Sequence, residues 1–251
     1  MGKKEEILLV ERQDKDGVTT LLLNRPDKLN ALNVALFEDL ETHVNAIAAD
    51  TDNVGCVVLR GAGKCFSAGH DLSDIVAGEK LPRPNYQSHV IKALANLPQP
   101  VITAVHLHCF TGALELALAG DVILCSENAR FGDTHAKFAL TPIWGMSQRL
   151  PRRIGRARAM DMMMTARTVK GPEAADIGLA NHCYADDVFD AQVAAYCQSV
   201  LENSWFSLRA NKKLLDDTNG MSLDAGLAHE VYENQGLGPD MQERVGGFIK
   251  K

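Results

Sequence analysis

No run of apolar residues in this chain reaches the roughly 18 needed to cross a bilayer, so no membrane-spanning helix is expected. The amino-terminal Met1-Gly2-Lys3-Lys4-Glu5-Glu6 meets only Ile7 to Val10, too short an apolar run for a signal peptide, and the chain is expected to be cytoplasmic. The six cysteines, Cys56, Cys65, Cys109, Cys125, Cys183 and Cys197, contain no C-x-x-C pair and no tight Cys/His cluster. That excludes a zinc ribbon or disulfide framework and leaves reduced packing residues. Positive charge is also scarce: the formal net charge is −6, which offers no footprint for nucleic acid or an anionic membrane surface. An anionic small molecule would need only local cations. There is no low-complexity tract, no repeat of solenoid period and no G-x-G-x-x-G fingerprint. No metal or redox cofactor is indicated.

What is present is an ordinary globular composition. With 251 residues, 46% apolar and 23% charged, the chain can bury a large core. Residues 7–13 and 18–24 are β-rich runs split by Asp14-Lys15-Asp16-Gly17, a hairpin signature. A loop from Asn24 to Leu32 carries Arg25 and Lys28. Asn33 is placed to cap a helix whose apolar positions Leu36, Phe37, Leu40, Val44, Ile47 and Ala48 recur at three- and four-residue spacing. Val54 to Leu59 reads as a strand buried on both faces.

The glycines Gly61, Gly63 and Gly69 mark the next loop as one where backbone bends sharply or approaches something closely. Asp71 can cap a following helix, leaving the His70 N–H near a helix start; a plain strand-to-helix turn is the alternative. Residues 78–85, with Pro82 and Pro84, read as a surface loop before a helix over 85–97.

Val101 to Leu116 is the stretch where chemistry is expected. A strand over 101–105 breaks at His106 to Thr111 and gives way to a helix running to Gly120-Asp121. At Thr111 and Gly112, unpaired N–H groups and the positive end of the helix dipole converge, a corner suited to a forming oxyanion. Glu115 stands about one turn further on, either beside that oxygen or as a capping-box partner of Thr111.

Short strands follow at 122–125 and 129–131, then His135 and a loop ending at Pro142. Arg149, Arg152, Arg153, Arg156 and Arg158 form a basic run, a solvated helix face or an anion or subunit contact. Helices are expected at 155–166 and 172–178, a strand at 181–184, and then helices at 186–202, 205–218, 222–235 and after Gly236-Leu237-Gly238-Pro239. Alternating strands and helices imply an α/β fold with a mainly parallel sheet. The closing run of helices implies a layer outside it, dividing the chain into a core over 1–185 and a helical region over 186–251.

Five segments in order resemble the crotonase, or enoyl-CoA hydratase/isomerase, superfamily. They are Asn-Arg-Pro-Asp-Lys-Leu-Asn-Ala-Leu at 24–32, Phe-Ser-Ala-Gly-His-Asp-Leu at 66–72, Gly-Ala-Leu-Glu-Leu-Ala at 112–117 with Asp121, Ala-Arg-Phe-Gly at 129–132 and Ser-Gln-Arg-Leu-Pro at 147–151. The resemblance implies a spiral of ββα units with two sheets, and a C-terminal helical region that mediates homotrimers or dimers of trimers. It also implies an acyl-CoA thioester as substrate, with no separate cofactor. Its carbonyl would lie between the N–H groups of His70 and Gly112, and Arg25, Lys28, Ala68 and His70 are the implied CoA-side residues. Lys28 reads equally as a free surface lysine.

Three departures from the family pattern matter. Family hydratases commonly use two glutamates; Glu115 matches the first, but the second position falls on His135, an acid–base residue or a structural hydrogen-bonded histidine. The family's glycine-rich corner is His106-Leu107 and Thr111-Gly112-Ala113 here, which implies a narrower, stiffer pocket floor. Trp144 stands where many relatives carry a small residue, restricting or stacking on the acyl group, or simply packing. The leading expectation is a hydro-lyase of fatty acid metabolism that hydrates the 2,3 double bond of an enoyl-CoA. The alternatives are a hydrolase of thioester or carbon–carbon bonds using His135, and a catalytically reduced acyl-CoA-binding trimer.

Overall fold

The structure, a computed structural model, describes residues 8–249. The leader at Met1 to Glu6, and Ile7 at the start of the first expected strand, lie outside the described residues. β1 (Val10–Lys15) and β2 (Val18–Leu23) pair antiparallel around Asp16 and Gly17, whose φ values of 49° and 82° make the tight turn. Asp14 and Lys15 therefore belong to the strand rather than to the turn. After a 3-10 turn at Pro26–Lys28 comes α1 (Val34–Ala48), capped by Asn33, whose Oδ1 accepts the Leu36 N–H at 3.0 Å. Leu36, Phe37, Leu40, Val44 and Ile47 are buried, each contributing roughly 1.5–3 kcal/mol. Ala48, the last helical residue, is exposed instead.

The chain continues through β3 (Cys56–Gly61), α2 (Leu72–Ala77), α3 (Tyr86–Ala95), β4 (Val101–Val105), β5 (His108–Phe110), α4 (Gly112–Ala117), β6 (Val122–Ser126) and β7 (Arg130–Gly132). Beyond a 3-10 turn at His135–Phe138 come α5 (Met146–Ile154), α6 (Arg156–Thr165), β8 (Val169–Lys170), α7 (Gly171–Asp176) and β9 (His182–Tyr184). Four helices follow: α8 (Phe189–Leu201), α9 (Trp205–Asp217), α10 (Leu223–Glu233) and α11 (Met241–Ile249). The main sheet has the order β1-β2-β3-β4-β6-β9 and is parallel from β2 onward.

A second sheet, β5-β7-β8, corrects the expected turn over 106–111. Leu107, at φ 50°, turns the chain out of β4 and straight into β5. Strands of two and three residues are too short to display a two-residue period, which hid both β5 and β8. The central helix is also shorter than expected, ending at Ala117, and the plain loop expected after His135 starts with a 3-10 turn.

One face of the main sheet, with Leu21, Leu59 and Val105, packs on Phe37, Leu40, Ile91 and Leu114 of the helices. The other face, Cys56, Val58, Ile102, Ala104 and Leu124, is covered by Phe189, Val193 and Cys197 of α8. The first terminal helix thus completes the core, whereas α9, α10 and α11 leave Leu215, Leu223, Tyr232 and Phe248 exposed. All six cysteines are free thiols, and all but Cys183 are buried. In the arginine run, Arg152, Arg156 and Arg158 face solvent. Arg149 and Arg153 turn inward instead, onto the carbonyls of Trp144 at 3.0 Å and Leu179 at 2.7 Å.

Candidate active site

Two chain segments meet here, the loop that follows β3 and the turn from β5 into α4. The loop after β3 is laced down by Asn30, whose amide donates to Ala62 O at 2.9 Å and Cys65 O at 2.8 Å, while Ser67 Oγ donates to Asn30 O at 2.7 Å. Leu32 then clamps the loop's end, donating to Gly69 O at 2.8 Å and accepting from Asp71 N at 2.9 Å. Gly69 sits at φ 107° with its α-carbon pressed on β5; a Cβ there would lie 2.6 Å from Phe110 O. Only glycine fits.

The second segment turns at Thr111, with φ 53° and ψ −111°. A β-branched residue in this region is strained, at a cost of about 1–3 kcal/mol. Hydrogen bonds hold it there: Thr111 N donates to Gly132 O at 2.8 Å, and Thr111 Oγ1 accepts Thr134 N at 3.1 Å and meets the Thr134 hydroxyl. This twist fixes the direction of the next N–H, that of Gly112. A Cβ on Gly112 would lie 3.3 Å from the His70 nitrogen, so the two amides are neighbours. Neither N–H donates to an acceptor within the described residues.

Beside them Glu115 is buried, 1% exposed. Its Oε1 accepts the N–H groups of Trp144 at 2.9 Å and Met146 at 3.0 Å, at the entry to α5. The capping-box reading is overturned, because Thr111 makes no side-chain cap and its hydroxyl is engaged by Thr134. Glu115 Oε2 lies 3.8 Å from His135 Nε2. Burial raises the Glu115 carboxyl above its ordinary range, opposed by the Met146 N–H, the His135 charge and the Trp144 N–H. On its other side, His135 Nδ1 is 2.6 Å from Oδ1 of the buried Asp133. The sequence reading missed Asp133; its signal was the Asp-x-His spacing, which puts a carboxylate two residues from a ring.

These groups border a cavity of about 490 Å³ that takes in Ala68, His70, Gly112, Glu115, His135 and Trp144. Its walls are mostly apolar, with Ile75, Phe110, Leu140 and Ile143, and Lys137 and Thr168 add polar edges that the sequence did not flag. Trp144 both packs and lines: its ring meets Phe37 edge-on at 5.2 Å and lies over His70 at 4.6 Å. The His70 imidazole is steadied by Glu79 at 3.2 Å.

Arg25 and Lys28 lie outside the cavity wall. The Arg25 guanidinium donates to Ala31 O at 2.8 Å and Asp71 Oδ2 at 2.9 Å, tying two loops together, and Lys28 is exposed on its 3-10 turn. The Ser73 hydroxyl, with Arg25, holds the Asp71 carboxyl below the usual range. Among the described residues, no cluster of three or more His, Cys, Asp or Glu side chains could hold a metal ion, and no helix is long and apolar enough to cross a membrane.

Similarity to known proteins runs along nearly the whole chain. The profile of the enoyl-CoA hydratase/isomerase family matches residues 13–243. A protein named as a probable enoyl-CoA hydratase of Rhizobium meliloti is 33% identical over 253 aligned positions, covering 98% of this chain and 96% of its own. The 2,3-dehydroadipyl-CoA hydratase of Escherichia coli is 31% identical, covering 97% and 96%. Among solved structures, an enoyl-CoA hydratase of Bacillus anthracis superimposes with a TM-score of 0.88 at 28% identity, over 96% of both chains.

Proposed function

This chain belongs to the enoyl-CoA hydratase/isomerase family, and on that premise we propose that it is a hydro-lyase adding water across the 2,3 double bond of an enoyl-CoA thioester. The observation that carries the reading is the meeting of two unclaimed amides, His70 and Gly112, above a cavity holding Glu115 and His135. The thioester oxygen takes both N–H groups, and charge moving onto it in the transition state makes C3 electrophilic and C2 basic. Each such donor is worth about 2.7–4 kcal/mol. Glu115 Oε2 accepts a proton from the water whose oxygen bonds to C3, and His135 Nε2 supplies the proton to C2. The pantetheine arm runs past Ala68 and His70, and the loop of Arg25 and Lys28 faces the nucleotide end. Trp144 limits acyl bulk.

The exposed Leu215, Leu223, Tyr232 and Phe248 on α9 to α11 support burial against other copies, as a homotrimer or dimer of trimers built by residues 186–251 around a 1–185 core. We assign the enzyme to fatty acid metabolism in the cytoplasm. Loss of conjugated-thioester absorbance with crotonyl-CoA or a longer enoyl-CoA tests the reaction. Tight acyl-CoA binding with no absorbance change at any chain length would overturn it, leaving a binding trimer. A second reading has support in the Asp133-held imidazole, which suits a base for water in hydrolysis of a thioester or carbon–carbon bond. Release of free CoA, or a shortened acid, distinguishes it.

A further inference from the structure

We infer that Asp133 is a positioning residue that decides which nitrogen of His135 faces the substrate, a role that rests on the hydration reading above. Asp133 Oδ1 lies 2.6 Å from His135 Nδ1 and also accepts the His135 backbone N–H at 3.1 Å. A carboxylate can only accept, so Nδ1 carries its hydrogen in both charge states of the ring. Nε2 is then the working nitrogen. It holds a lone pair when the ring is neutral and a transferable proton when it is cationic, and it is turned toward Glu115 Oε2 at 3.8 Å. Asp133 is 1% exposed and the His135 side chain 10%, so solvent screens this pair weakly.

Neighbouring elements carry other charged groups. Glu115 comes from α4, Arg149 from α5 with its guanidinium on the Trp144 carbonyl, Asp161 from α6 paired with Arg167, and Lys137 from the same turn. Of these, Glu115 is within ion-pair distance of Nε2. The two carboxylates therefore approach the ring from opposite nitrogens. During hydration, Nε2–H is broken as its proton bonds to C2, and water oxygen bonds to C3 as its proton passes to Glu115. The ring is left neutral with hydrogen on Nδ1, and Glu115 is left protonated. Transfer of that proton from Oε2 to Nε2 restores both groups. The reset needs a lone pair on Nε2, which is what Asp133 guarantees.

The test is Asp133→Asn beside Asp133→Glu, read by turnover and by nitrogen-15 NMR of the histidine-labelled free protein. Wild type is expected to show the Nδ1–H tautomer at His135, whether or not it hydrates any substrate. In Asp133→Asn, kcat should fall about 10²- to 10⁴-fold with KM changed less than about threefold. The neutral ring of Asp133→Asn should gain a population protonated on Nε2, read by the same NMR. Asp133→Glu should restore part of kcat and return the ring to the Nδ1–H tautomer. A wild-type ring protonated on Nε2 when neutral would overturn the assignment, as would a lower kcat in Asp133→Asn with the tautomer unchanged. A wild type that hydrates nothing would sink the hydration reading alone, since the tautomer measurement stands without it.

Discussion

Replacing Glu115 with glutamine should slow the enzyme and, near neutral pH, leave the fold as stable as before or more so. The glutamine oxygen can keep both backbone bonds, from Trp144 and Met146, while its amide faces His135. Bonds to a charged acceptor are worth about 1.5–3 kcal/mol and neutral ones about 0.5–1.5, so the exchange loses roughly 2–3 kcal/mol over the pair. Against this stands the relief of burying a charge, several kcal/mol per ion. Burial is the largest influence on this carboxyl, so relief should win.

The sign of the pH dependence follows from linkage. The folded state holds the Glu115 proton more tightly than the unfolded chain does. Its contribution is therefore fully present below the ordinary carboxyl range and is lost as pH rises through the raised folded value. Glutamine does not titrate, so the variant should gain on wild type as pH rises. Urea unfolding at about pH 5 and about pH 8 measures this. Turnover of crotonyl-CoA should drop about 10²- to 10⁴-fold, or roughly 2.7–5.5 kcal/mol of barrier. A variant destabilised equally at both pH values, with unchanged turnover, would refute the argument on both counts.

Substitutions at three further positions probe the corner and the pocket. Gly112→Ala places a Cβ 2.5 Å from Trp144 Cζ3, so it should lose about 1–3 kcal/mol by crowding and most of its turnover; full activity with normal stability would contradict the placement of the amides. At Thr111 the usual order should invert: Thr111→Gly relieves the backbone while Thr111→Ala keeps the strain and loses the Thr134 bonds, so alanine should be the less stable by thermal unfolding. Trp144→Ala should cost about 3–5 kcal/mol and shift kcat/KM toward bulkier acyl groups, measured across a substrate series.

Most of the architecture was legible because it is written in local signals. Asn33 and Asp71 cap where side-chain oxygens precede apolar helical runs, and both do so in the folded chain. The continuous apolar runs of β3 and β4 announced a doubly covered parallel sheet, and α8 supplies part of that cover. The Thr-Gly corner and Glu115 were visible too, since strand, turn and helix there follow one another without a gap. What could not be read was whatever depends on segments distant in sequence. Glu115 read either as a carboxylate beside the oxyanion corner or as a cap partner of its own helix, and the pattern did not show that its oxygen serves Trp144 and Met146, on the far side of a loop. The tie between the Arg25 guanidinium and Asp71, two segments far apart in sequence, was equally hidden.

The sequence by itself determined the helices, the hairpin and the main sheet, and it singled out positions 70, 112, 115 and 135 as candidates for chemistry, because capping, hydrophobic period and motif order act between near neighbours. Only tertiary structure decided that β5 and β8 close a second sheet and that Asp133 holds the His135 ring. It also decided that the Glu115 carboxyl is buried against a backbone reached across a loop. Pairing of very short strands and the burial of a charge are set by what other parts of the chain bring to them, and no local pattern encodes that.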